Sequence, residues 1–86
     1  MKNENNVSHK RYYIFRHIQK SEQDSIRYLG KGPETWTTDF SFASLHAHKN
    51  FARELAENYK VANDQFTYVI GEVDVSINSF FMGEVV

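Results

Sequence analysis

Residues 65–81, QFTYVIGEVDVSINSFF, constrain the fold more than any other part of the chain. One set, Thr67, Val69, Gly71, Val73, Val75 and Ile77, alternates with a second, Phe66, Tyr68, Ile70, Glu72, Asp74 and Ser76. Side chains two apart share one face of a strand, so this period of two predicts a single long β-strand. Gly71 stands inside it, where a missing side chain favours a bend or a bulge. A long strand is not stable alone, and the rest of the chain has to supply the sheet that pairs with it.

Two earlier segments can do so. Residues 11–18, RYYIFRHI, are aromatic and β-branched and read as a strand; residues 25–30, SIRYLG, read as a second, antiparallel one after the polar loop QKSEQD. Between these and the long strand lies TTDFSFASLHAHKNFARELAENYKV. There Ala43, Ala47, Phe51, Leu55 and Tyr59 recur at steps of four, flanked by Ala52 and Ala56, which predicts a helix ending near Lys60. Asp39, Ser41 and Ser44 are all candidate N-caps, and a break between SFASL and HAHKNF fits the pattern as well.

The element order is β-β-α-β. The expected architecture is α+β: a three-stranded antiparallel sheet with one helix packed on one face. Residues 1–9 read as a disordered polar arm, 10–79 as the single domain, and 80–86 as an apolar tail that packs back as a short strand or meets another chain. One helix covers one face of a sheet, yet both faces here are partly apolar. If Ile14, Ile26, Val69, Val73 and Val75 meet the helix, then Tyr13, Phe15, Phe66, Tyr68 and Ile70 point the other way. Thirteen aromatic residues in a chain of 86 exceed what one small core needs. Such a surplus on an open face marks an interface, with a homodimer or a foreign protein as its partner.

Composition narrows the function classes. There is no cysteine, so neither disulfides nor thiolate metal sites are available. The N-terminal MKNENNVSHK lacks an apolar signal region, and no apolar run approaches the length of a membrane helix, so a cytoplasmic protein is expected. The net charge of −1 gives no global attraction to nucleic acid. It divides unevenly, with +4 in residues 1–31 and −5 in residues 32–86.

Four local patterns invite a sharper reading. Gly30-Lys31-Gly32 resembles part of a phosphate loop, but Pro33 follows, with no N–H to offer, and no Ser or Thr follows the lysine to hold a metal. The glycines are better suited to supply positive φ at the exit of the second strand. His46-Ala47-His48 would form a metal-binding pair only off a helix, because residues two apart on a helix point about 200° apart. A metal-binding protein through this segment is a further alternative that requires it not to be helical; no metal ligands and no cofactor are assigned. Glu72 and Asp74 share a strand face like a paired-acid site, but that spacing is equally that of a solvated strand edge, and no enzyme activity is expected. KRYYIFRH interleaves aromatic and basic residues, which offers an alternative: a nucleotide or single-strand binder using Tyr13, Arg16, Arg27, Lys31 and Trp36.

From Arg11 to Ile77 the layout resembles small accessory proteins of phages and prophages of Gram-positive bacteria. The resemblance rests on the aromatic strand RYYIFR, the short strand closing in YLGKG, the segment TWTTDFSFASLHAHKNFARELAENY and the valine-rich YVIGEVDVSI. It implies a non-enzymatic protein that binds and blocks a host protein, inhibitors of CRISPR nucleases being one such group. It transfers no functional residues. From the residues themselves, Tyr13, Phe15, Arg16, Arg27, Tyr68 and Phe80 are the expected partner contacts.

Overall fold

The structure is a computed structural model that describes residues 9–18, 26–32, 35–77 and 79–86, with the backbone alone at Met82. The strands are β1 (Lys10–Ile18), β2 (Arg27–Leu29), β3 (Trp36–Thr37), β4 (Phe66–Asp74) and β5 (Ser79–Val85). A single 3-10 turn (Phe40–Phe42) and one helix, α1 (Lys49–Ala62), lie between β3 and β4. The strands form one antiparallel sheet in the order β3-β2-β1-β4-β5. The α+β class holds, but the sheet is larger than three strands. Most of the expected arm and of the loop after β1 lies outside the described residues, as do Pro33 and Glu34.

The additional strands have local causes. The long alternating segment does not run on through Ile77. The Asp74 carboxylate accepts from the Ser76 backbone N–H at 3.0 Å and from its hydroxyl at 2.7 Å, and the Ile77 N–H donates to the Asp74 carbonyl at 3.3 Å. Asp-x-Ser closes a turn on itself in this way, and the chain returns as β5. The apolar terminal residues thus pack back as a strand. The ladder between β4 and β5 is irregular between Ile70 and Glu72, at the expected position of Gly71. On the other side of the sheet, Gly32 has φ +89 and turns the chain from β2 toward the two-residue β3. Gly30 needs space and not positive φ: a Cβ there would stand 3.2 Å from the Phe42 carbonyl oxygen.

The helix begins at Lys49, later than the step-of-four pattern predicts. Asp39 caps only the 3-10 turn, accepting from the Ser41 N–H at 2.9 Å. Residues 43–46 then form an irregular sixth segment that pairs first with the end of β2 and then with β1. Gly30 bridges Ala43, and Tyr12 and His46 exchange backbone hydrogen bonds of 2.8 and 2.7 Å. Backbone pairing with β1 therefore overrides the helical spacing of Ala43 and Ala47. Among the described residues no helix is long and apolar enough to cross a membrane.

The core lies between α1 and the sheet. Ala52 and Ala56 are fully buried, and their small side chains let the helix sit close on Ile14, Leu29, Tyr68 and Ile70. Phe51, expected in this stripe, points outward and packs against the His46 ring. The register corrects the expected division of the faces. Ile14 pairs with Ile70 and Arg16 with Tyr68, whereas Phe15 pairs with Val69. Directly paired residues share a face. Phe66, Tyr68 and Ile70 thus lie under the helix, and Val69 and Val73 join Tyr13 and Phe15 on the opposite face. Val75 lies in the turn after β4. Choosing one strand's face by hydrophobicity alone fails here because both sets are apolar.

Candidate functional site

The sheet face away from α1 is built by alternation along β1. Arg11, Tyr13, Phe15 and His17 fall on it, opposite Val73, Gly71, Val69 and Thr67 of β4. Tyr28 of β2 pairs with Phe15, and Phe80 of β5 pairs with Val73. The result is an aromatic layer. The rings of Tyr13 and Phe15 stack with centroids 6.0 Å apart, and Tyr28 lies 6.0 Å from each. Phe40, from the 3-10 turn, stands edge-on to Tyr13, Tyr28 and Phe80 at 4.8, 5.4 and 5.1 Å. Edge-to-face pairs at such separations are worth about 0.5–1.5 kcal/mol each beyond burial.

Phe40 covers only one end of this layer. Beyond it runs an open groove of about 530 Å³ lined by Phe15, His17, Val69, Phe81, Gly83 and Val85, with Tyr13 and Phe80 at its covered end. Two glycines make it concave. A Cβ at Gly71 would collide with the Tyr13 ring, and one at Gly83 would stand 2.4 Å from the Ile70 carbonyl oxygen. Phe80 and Val85 are 54 and 66% exposed on this face, an apolar patch that no described residue covers; Phe81, 47% exposed, borders the groove from edge strand β5 but pairs with Glu72 and so falls on the helix side.

Among the described residues no carboxylate lines the groove. Its ionisable neighbours are His17 and Tyr13, whose hydroxyl is pushed above its ordinary range by burial and, secondarily, by Tyr28. The nearest acid in sequence, Glu84, pairs with Ile70 and so lies on the helix side. There it binds Arg53, and Lys49 at 2.9 Å, which together hold its carboxyl down to about 2. This clamp ties edge strand β5 to α1. Arg53 takes Glu84 as its main partner, with Glu57 of the same helix a lesser one.

Of the expected partner contacts, Tyr13, Phe15 and Phe80 lie on this face. Tyr68 does not: it is 1% exposed beneath α1, and its hydroxyl donates to the Asn63 carbonyl at 2.9 Å. Arg16 and Arg27 are paired in register and lie on the helix side. The alternative set is divided as well. Tyr13 is on the open face, Arg16 stacks on Trp36 on the other, and Lys31 lies exposed beyond β2 beside Thr35, Thr37 and Phe42. The groove residues Val69, Phe81, Gly83 and Val85 were not singled out. Phe81 and Val85 stood in a tail whose pairing depends on the turn at Asp74.

The remaining patterns are accounted for locally. Residues 46–48 are not helical, yet among the described residues no group of three or more His, Asp or Glu gathers around a common point. His46 is half-buried against Phe51, with its Nε2 unpartnered; burial lowers its pKa, favouring the neutral ring. Glu72 pairs with Lys10 at 3.5 Å and Asp74 holds its own turn, so each carboxylate has a separate partner.

The described residues thus form a small α+β domain in which none of them covers part of one sheet face. Comparison with known proteins returns no match: no family model, no curated protein and no solved structure resembles it.

Proposed function

We propose that this is a non-enzymatic binding protein that docks a partner protein in the groove on the open sheet face. The observation that carries the reading is the pair of exposed apolar side chains Phe80 and Val85 beside a layer of packed aromatics. Removing one such side chain from water contributes about 1.5–3 kcal/mol, so a few of them suffice for a specific complex. With no carboxylate among the described lining residues, a foreign partner is favoured over a second copy. A self-contact would set this surface against itself with no acid among its described lining residues to meet His17, whereas an apolar segment with an acidic rim complements it. At finer grain, the layout's resemblance to phage accessory proteins supports a host protein as the partner and blocking as the outcome, a defence nuclease being one such target.

The test is affinity capture from host lysate with three proteins: the wild type, the groove variant Val85→Asp, and the helix-surface variant Glu54→Lys. The reading expects a host protein retained by the wild type and by Glu54→Lys and lost with the groove variant. The same retained proteins in all three samples would overturn it.

A further inference from the structure

On the opposite side of the sheet, Arg16 occupies an unusual position. Its guanidinium carbon lies 4.0 Å from the ring centroid of Trp36 and 3.9 Å from that of Phe66. The cation is thus in contact with two rings, which attract it through their π-systems but accept no in-plane hydrogen bond. Its Nε is buried and has no acceptor, and no carboxylate among the described residues pairs with the group. A partly desolvated cation without an anionic partner is costly. The sheet fixes this one in orientation while leaving the donating edge of its fork unspent.

That edge borders a pocket of about 380 Å³ walled by Trp36, Tyr59, Tyr68 and the end of α1 at Ala62 and Asn63. Two of the other polar residues there are engaged with each other or with the turn that follows α1. The Tyr68 hydroxyl donates to the Asn63 carbonyl, and the Asn63 side-chain oxygen accepts from the Gln65 N–H at 3.2 Å. Trp36 and Tyr59 meet edge to face at 5.4 Å and form an aromatic wall. A planar guanidinium fork held against rings matches a planar oxyanion bidentately. Two features choose the class. The carbonyl end of a helix carries partial negative charge, which disfavours a dianion more than a monoanion. The aromatic wall favours a flat apolar body behind the anionic group.

We propose that this pocket binds a small aromatic carboxylate, its carboxylate on Arg16 and its ring against Trp36 and Tyr59. This site lies across the sheet from the docking groove and stands independently of it.

The test uses the emission of Trp36, the chain's only tryptophan, as a reporter in contact with Arg16. The full chain is titrated with phenylacetate, with the isosteric neutral phenylacetamide, and with inorganic phosphate. The expected result is a saturable change with phenylacetate in the range of about 1 mM, and binding about tenfold weaker or more for the amide and for phosphate. Arg16→Lys keeps the charge but loses the fork, and should weaken phenylacetate about tenfold while far-UV circular dichroism stays unchanged. The acid-against-amide comparison needs no variant and decides the matter if Arg16→Lys misfolds. No saturation by about 10 mM, equal binding of acid and amide, or tighter binding of phosphate would each overturn the proposal.

Discussion

The ring of Tyr13 lies over Gly71, its partner across the β1–β4 ladder: a Cβ at Gly71 would fall 2.2 Å from Tyr13 Cζ. No real contact is that short, so either the ring or the strand would have to move. Gly71→Ala should therefore destabilise by about 1–3 kcal/mol, as overpacking does, although alanine normally favours a strand interior over glycine. In a Tyr13→Ala background the same change should cost much less, since the collision is gone. Urea unfolding of the four proteins of this cycle measures the coupling.

The Glu84 clamp has an acid signature. Its folded-state carboxyl titrates at about 2 against an ordinary 4.5, because Arg53 and Lys49 favour the charged form. A depressed carboxyl contributes stability that is complete above its unfolded value and lost as pH falls through the folded one. Acidification from about 4.5 toward 2 should therefore loosen β5 from α1 in the wild type. Glu84→Gln should be less stable at neutral pH and should show a smaller fall across that window. Thermal melts of both proteins over the acid range check this. Because the groups are exposed, added salt should shrink the difference.

His46 works in a higher window. Burial favours its neutral ring and moves its folded pKa below 6.5. Stability present above the unfolded value is then lost as pH falls through the folded value, because unfolding frees the ring to bind a proton. His46→Phe, which keeps an aromatic ring against Phe51, should flatten the stability profile in that region. Melting temperatures of the two proteins across mildly acidic pH report the difference.

Exposed and buried aromatics should separate cleanly in their effects. Phe81→Ser and Val85→Asp remove side chains with large exposed area, so each should change stability by no more than about 0.5 kcal/mol. Tyr68→Ala should cost about 3–5 kcal/mol, because it leaves a cavity beneath α1. Tyr68→Phe loses only the bond to the Asn63 carbonyl and should cost about 0.5–1.5 kcal/mol. Urea midpoints rank the four, and a groove variant that unfolds would mean that its side chain supports the fold.

The strands were legible where composition and alternation agreed, as in β1, β4 and the position of Gly71. The helix was legible from Ala52 to Tyr59, but not at its start. There the spacing of Ala43 and Ala47 fits a helix while the backbone of residues 43–46 pairs with β1 and β2, a non-local preference that periodicity cannot carry. The faces of β4 were misassigned because Phe66, Tyr68 and Ile70 are as apolar as Val69 and Val73. Register resolves the choice by setting Ile14 against Ile70. The open face itself was foreseeable from too many aromatics for one core. Its groove was not, because Phe81, Gly83 and Val85 reach it only through the Asp74–Ser76 turn, whose signal is one short Asp-Val-Ser.

The account's central claim is that the open sheet face is kept for another protein and not for a second copy. Light scattering across a concentration series tests it most directly. A mass of 10.1 kDa that does not change with concentration is the predicted result. A dimer that Val85→Asp splits into monomers would show the face closed by self-association and would contradict the claim.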